Sequence, residues 1–178
     1  MNQRSNSKTS LFLMELIVAV FFFSLSAAVC VRLFVDAHLL AQKTVNLNNA
    51  LTWSQSLAES FTGEKGNLEK IGNLYPSAFV TERSLILFFD EDWKIISDDL
   101  SSASYEAILN VETKAASEVY SDVTDYDVPL IGNAIVGNIT VVDVKDIAEN
   151  ITEFPEDDSM TILQNSVDVY IGKEAADE

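Results

Sequence analysis

The chain is poor in the residues on which most catalytic and metal chemistry depends. It has one histidine, His38, and one cysteine, Cys30. A lone cysteine forms no intramolecular disulfide, and Cys30 lies in an apolar run, where it reads as a small hydrophobe. No G-x-S-x-G, Gly-rich phosphate loop, cysteine pair or H-E-x-x-H occurs, so nothing in the sequence points to an enzyme. His38 reads as an interfacial residue just beyond the apolar run. Bases are scarce as well, 11 Lys and Arg against 28 Asp and Glu. Such a field repels nucleic acid and anionic surfaces, and no basic stripe offsets it. Internal repeats and low-complexity tracts are absent.

What is present is a long apolar run. Leu11 to Val35 carries only two charges, Glu15 and Arg32. As a helix it would extend about 37 Å, enough to cross a hydrocarbon core of roughly 30 Å. Arg4 and Lys8 precede it, which predicts a cytoplasmic N-terminus and an extracytoplasmic remainder. Of the charges, three bases (Arg4, Lys8, Arg32) and one acid (Glu15) belong to this first part, so the remainder carries about 19 net negative charges. Ordinary readings of the run leave something over. A cleaved secretory signal fits Ser26-Ala27-Ala28 but not the length or Glu15. A lipoprotein signal at Cys30 meets Val29 and Ala27 where small and leucine residues belong. A plain anchor leaves Glu15 unexplained, and a carboxylate at bilayer depth costs about 3 kcal/mol on insertion scales.

Ser10-Leu11-Phe12-Leu13-Met14-Glu15, continued by Leu16-Ile17-Val18-Ala19-Val20, resembles the N-terminal signal of type IV pilins and type II secretion pseudopilins. The resemblance implies a short basic leader removed by a prepilin peptidase, methylation of the new N-terminal residue, and a glutamate at the fifth mature position. Here that places cleavage after Ser10, methylation on Leu11 and the assembly role on Glu15. Ser10 stands where the family has Gly, and Phe12 where Thr is usual. It further implies other pilin-like subunits and an assembly platform as partners. In a filament the carboxylate would pair with the α-amino group of a neighbouring subunit, relieving the cost of an unpaired buried charge. The motif covers only residues 8–35. Leu85 to Trp93, an apolar strand with an acidic turn and a Trp, is similar more loosely to pilin-like proteins of Firmicutes.

The rest of the chain predicts an α+β fold, a long N-terminal helix packed by an antiparallel β-meander. Between Asp36 and Thr62 there is no Gly or Pro, and Leu40, Leu47, Ala50, Leu51, Leu57, Ala58 and Phe61 recur at helical spacing. Gly63 and Gly66 supply a stop. One helix from Leu11 to Phe61 follows, with segment 63–77 a connector containing a short helical turn. Strands are predicted at Ser84–Phe89, Trp93–Ser97, Tyr105–Glu112, Asn133–Lys145 and Thr161–Ile171, the first two forming a hairpin about Asp90-Glu91-Asp92. Ala115–Leu130 and Asn150–Ser159 read as acidic surface loops, and Lys173–Glu178 as a fraying tail. The organisation is a leader (1–10), a transmembrane helix (11–35), its amphipathic continuation (36–62) and an acidic sheet domain (63–178).

Two acidic clusters raise calcium as a cofactor: Asp122, Asp125 and Asp127, and Glu156, Asp157 and Asp158. Neither has the spacing of an EF-hand loop, and in so acidic a chain solvated loops are the simpler reading. The sequence therefore predicts a structural subunit of a pilus-like or secretion-type filament, inserted in the lipid bilayer and displayed at the surface once assembled. The alternative is a single-pass anchored binding module that does not assemble, its acidic domain meeting a cationic partner or ion.

Overall fold

The computed structural model describes residues 4–121, 130–145 and 160–172, with side chains from residue 9 onward. It divides into two compact units, residues 1–45 and 46–178. One helix, α1 (Arg4–Gly63), runs without interruption through the first unit into the second. It starts earlier than the apolar run because residues 4–10 lack any Gly or Pro to stop it.

Within the second unit, α1 ends in a Schellman arrangement. The Gly66 N–H donates to the Phe61 carbonyl (2.9 Å) and the Lys65 N–H to the Thr62 carbonyl (3.3 Å). Lys65 takes the left-handed position (φ 51°), and Gly66 follows at φ 73°. Gly66 is needed for closeness too, since a Cβ there would lie 2.6 Å from Ile135 Cγ2. The connector then forms α2 (Leu68–Leu74), capped by the Asn67 side chain accepting from the Lys70 N–H (3.0 Å). Ile71 buries its inner face.

The strands are β1 (Phe79–Val80), β2 (Ser84–Phe89), β3 (Ile95–Ile96), β4 (Tyr105–Ala115), β5 (Asn133–Asp143) and β6 (Thr161–Gly172). Every pairing is antiparallel, in the order β1-β2-β4-β5-β6, with β3 on the second half of the outer edge of β2. A 3₁₀ turn (Leu100–Ser102) precedes β4, and a single helical turn, α3 (Ala116–Val119), follows it. The predicted α+β class is therefore the one observed: a helix packed on an antiparallel sheet.

Alternation decides the core. Ala50, Leu57 and Phe61 of α1 pack with Leu85, Leu87 and Phe89 of β2, Leu109 of β4 and Ile139 and Val141 of β5. Ile86, Phe88 and Ile108, the intervening residues, form a second cluster with Ile96, Leu100 and Ala103. SLILFF is thus buried on both sides of the sheet, which is why it reads as an unbroken apolar run.

Several boundaries differ from those predicted. The second hairpin strand is only Ile95–Ile96, because Trp93 belongs to the turn at φ 61°. β4 runs three residues past Glu112, held there by β5. β1 is a two-residue strand too short to leave a periodic signal. Ala116–Val119, assigned to a loop, is helical. Leu40, Leu47 and Leu51 are exposed rather than core (67%, 47% and 44%); in the second unit the buried line of α1 is Ala50, Ser54, Leu57 and Phe61. The remaining loop residues and the 173–178 tail lie outside the described residues.

Candidate functional site

In the first unit the helix carries a continuous exposed apolar surface. Leu11 (65%), Phe12, Met14, Ile17, Phe21, Phe22, Phe23 and Phe34 are all exposed. Among the described residues this is the one helix long and apolar enough to cross a membrane. Ser10, Leu11 and Glu15 lie on it in regular helical conformation and exposed. The neighbours of Glu15 at three and four residues are Leu11, Phe12, Val18 and Ala19, none of them able to donate to a carboxylate. Arg32 stands about 25 Å further along the axis. Leu11 lies about one turn from Glu15 and Ser10 one residue further, and among the described residues no side chain neutralises Glu15. Farther on, His38 Nε2 lies 3.3 Å from Gln42 Nε2 on the helix surface.

The acidic candidates are less informative. Asp122, Asp125, Asp127, Glu156, Asp157 and Asp158 lie outside the described residues. Among those described, no group of three or more His, Cys, Asp and Glu could hold a metal ion. The Asp90-Glu91-Asp92 turn is instead occupied by its own backbone: Asp90 Oδ1 accepts from the N–H groups of Asp92 and Lys94, both at 2.9 Å. Lys94 pairs with Asp92 at 3.0 Å, a contact that raises the lysine pKa.

Two further arrangements in the second unit escaped sequence reasoning. The first is an aromatic row. Trp53 meets Phe89 (centroids 4.9 Å apart), Phe89 meets Trp93 (5.6 Å), and Trp93 stacks on Tyr105 (4.1 Å, 13° between planes). The Trp93 indole N–H donates to Asn46 Oδ1 at 3.4 Å. Lys145 Nζ donates to the Tyr105 hydroxyl at 2.8 Å, which raises its pKa despite the opposing effect of burial. Residues so far apart in sequence leave no local pattern.

The second is a polar groove of about 800 Å³ at the end of the sheet, with Arg83, Asn110, Glu112 and Asn138 among its lining. Arg83 belongs to the tight β1–β2 turn, set by the Thr81 N–H donating to the Ser84 carbonyl (2.8 Å). Glu112 is held by Lys114 (2.7 Å) and by the Asn138 amide (3.4 Å), the lysine contact again raising the Lys114 pKa. A second groove of about 630 Å³ adjoins it, sharing Gly66, Glu82 and Val111.

Comparison of the chain with protein-family models, curated proteins and solved structures finds no match in any of the three.

Proposed function

We propose that this chain is a structural, pilin-like subunit, inserted in the membrane as a precursor and built into a filament through α1. The supporting observation is Glu15: a carboxylate alone on an exposed apolar helix surface, one turn from Leu11. A bilayer offers that charge no partner. A second subunit does, if cleavage after Ser10 frees the α-amino group of Leu11. The reading rests on the likeness of residues 8–35 to the pilin signal, on the fold of a helix against an antiparallel sheet, and on Leu47 and Leu51, apolar and half-exposed well beyond a membrane-length segment. The N-terminus would remain cytoplasmic and the acidic domain would lie outside the cell. The peptidase, the assembly platform and sister subunits would be its partners.

N-terminal sequencing of membrane-extracted protein tests the processing step, with methylated Leu11 as the expected first residue. Glu15→Ala tests assembly. The variant should insert in the membrane as well as the parent and be lost from sheared filament fractions. Normal incorporation would remove this account of Glu15. The polar groove favours a second reading, an anchored binding module that does not assemble. An intact Met1 together with a monomeric protein in membranes would select it.

A further inference from the structure

The groove beside Arg83 follows from an unfinished strand pairing. β2 and β4 pair from Ser84↔Asn110 to Phe89↔Tyr105, and the last bond at this end runs from the Val111 N–H to the Arg83 carbonyl (2.8 Å). β4 continues to Ala115, whereas β2 has already turned into the β1–β2 hairpin. In an antiparallel strand, alternate residues direct both backbone groups to the same side. Thr113 and Ala115 therefore direct theirs as Val111 does, to the side where β2 is missing. The residue in register with Thr113 would be Thr81, whose N–H is taken by Ser84. Thr113 and Ala115 are exposed, and on that side both backbone groups of Thr113 and the N–H of Ala115 have no partner among the described residues, whereas the Ala115 carbonyl, at the N-cap of α3, belongs to that helical turn.

The groove surrounds this edge. Its lining takes Asn110 and Glu112 from one face of β4 and Val111 and Thr113 from the other, so the strand edge forms its floor. Arg83 stands at one end. It is the only arginine of the second unit, and its guanidinium makes no ion pair or hydrogen bond among the described residues. The Asn110 amide beside it is likewise unbonded. Glu112 is neutralised by Lys114, which leaves Glu82 and Arg83 to cancel. In a domain so rich in acid, this is a locally neutral place with a free guanidinium.

We propose that the free edge of β4 at residues 113–115 is a strand-addition site for an extended acidic segment of another protein. The backbone of that segment would extend the line of β2, and one of its carboxylates would pair with Arg83. Strand addition supplies affinity through main-chain bonds, and a fork-shaped guanidinium suits a carboxylate. The adjoining groove gives the segment room to continue between α2 and the hairpin tip. The site is separate from α1, so Glu15→Ala leaves it intact whatever the fate of the filament.

The test uses the full chain in detergent micelles and a fluorescent peptide, acetyl-Thr-Val-Asp-Val-Thr-Val-amide, followed by anisotropy. Saturable binding is expected, about tenfold weaker when the peptide's Asp is replaced by Asn, and lost when its alternate amides are N-methylated. Arg83→Gln should abolish the preference for Asp over Asn while leaving the unfolding midpoint unchanged. Thr113→Pro removes one outward N–H at an edge where proline is tolerated, and should weaken every probe alike. The proposal is overturned by no saturable binding at millimolar peptide, or by binding indifferent to both Arg83→Gln and N-methylation. It is also overturned if Arg83→Gln disrupts association between copies of this chain, which would put a second copy in the groove.

Discussion

Trp93 occupies a left-handed turn position at φ 61°, a conformation that costs a side chain of this kind roughly 1–2 kcal/mol. It persists because the turn directs the indole inward, where it is 8% exposed and stacked on Tyr105. Trp93→Ala should keep the strain and lose the stack, lowering unfolding free energy by about 3–5 kcal/mol in urea titrations. A loss under 1 kcal/mol would mean that the row is ornamental. Tyr120 offers a titration instead. Burial, followed by a 2.5 Å hydrogen bond to Asp168, pushes its pKa up to about 12 from the ordinary 10.0. Since the folded state holds this proton more tightly, the stabilisation is complete below pH 10 and is lost as pH rises toward 12. Lys94, Lys114 and Lys145 also have raised pKa values and lose contacts in the alkaline range. The informative quantity is therefore the difference between the parent and Tyr120→Phe, which should shrink between pH 10 and 12.

Among the elements, the seat of α1 on the sheet is set by a missing side chain. A Cβ at Gly137 of β5 would lie 2.8 Å from Phe61 Cε2 and 3.1 Å from Leu109 Cδ1. Gly137→Ala should therefore cost about 1–3 kcal/mol by overpacking, read as a lower denaturant midpoint. Combining it with Phe61→Leu should recover part of that loss. Gly137 falls inside the strand predicted at 133–145, but the sequence does not show why a side chain is excluded there, since that depends on a residue 76 positions earlier. What was legible was local. The absence of breakers gave α1, the 63–77 connector allowed a short helical turn, and the alternation of Leu163, Val167, Val169 and Ile171 with polar residues gave β6. What was illegible needed partners. The extension of β4 to Ala115 is held by β5, and the groove exists only because β2 stops short of it. The pattern of Glu15 in an apolar run was legible as well, and among the described residues no side chain neutralises it.

For the molecule as a whole, the exposed leucines of α1 separate folding from association. Helical spacing alone groups Leu47, Leu51 and Leu57 as apolar, yet Leu57 is fully buried while the other two are nearly half-exposed. Leu57→Ala should cost about 2–5 kcal/mol and lower the yield of folded protein. The double variant Leu47→Ser, Leu51→Ser should change unfolding free energy by less than about 1 kcal/mol, since it removes little buried surface. If these leucines meet another subunit, the same variant should reduce the cross-linked ladder of copies in native membranes. A formal charge of −17 per chain makes copies repel one another. The ladder should therefore lengthen as salt rises from 50 to 300 mM, because screening weakens the repulsion while leaving apolar burial in place. A ladder unchanged in the double variant at every salt concentration would leave these two leucines with no role in assembly and confine it to the membrane-length part of α1.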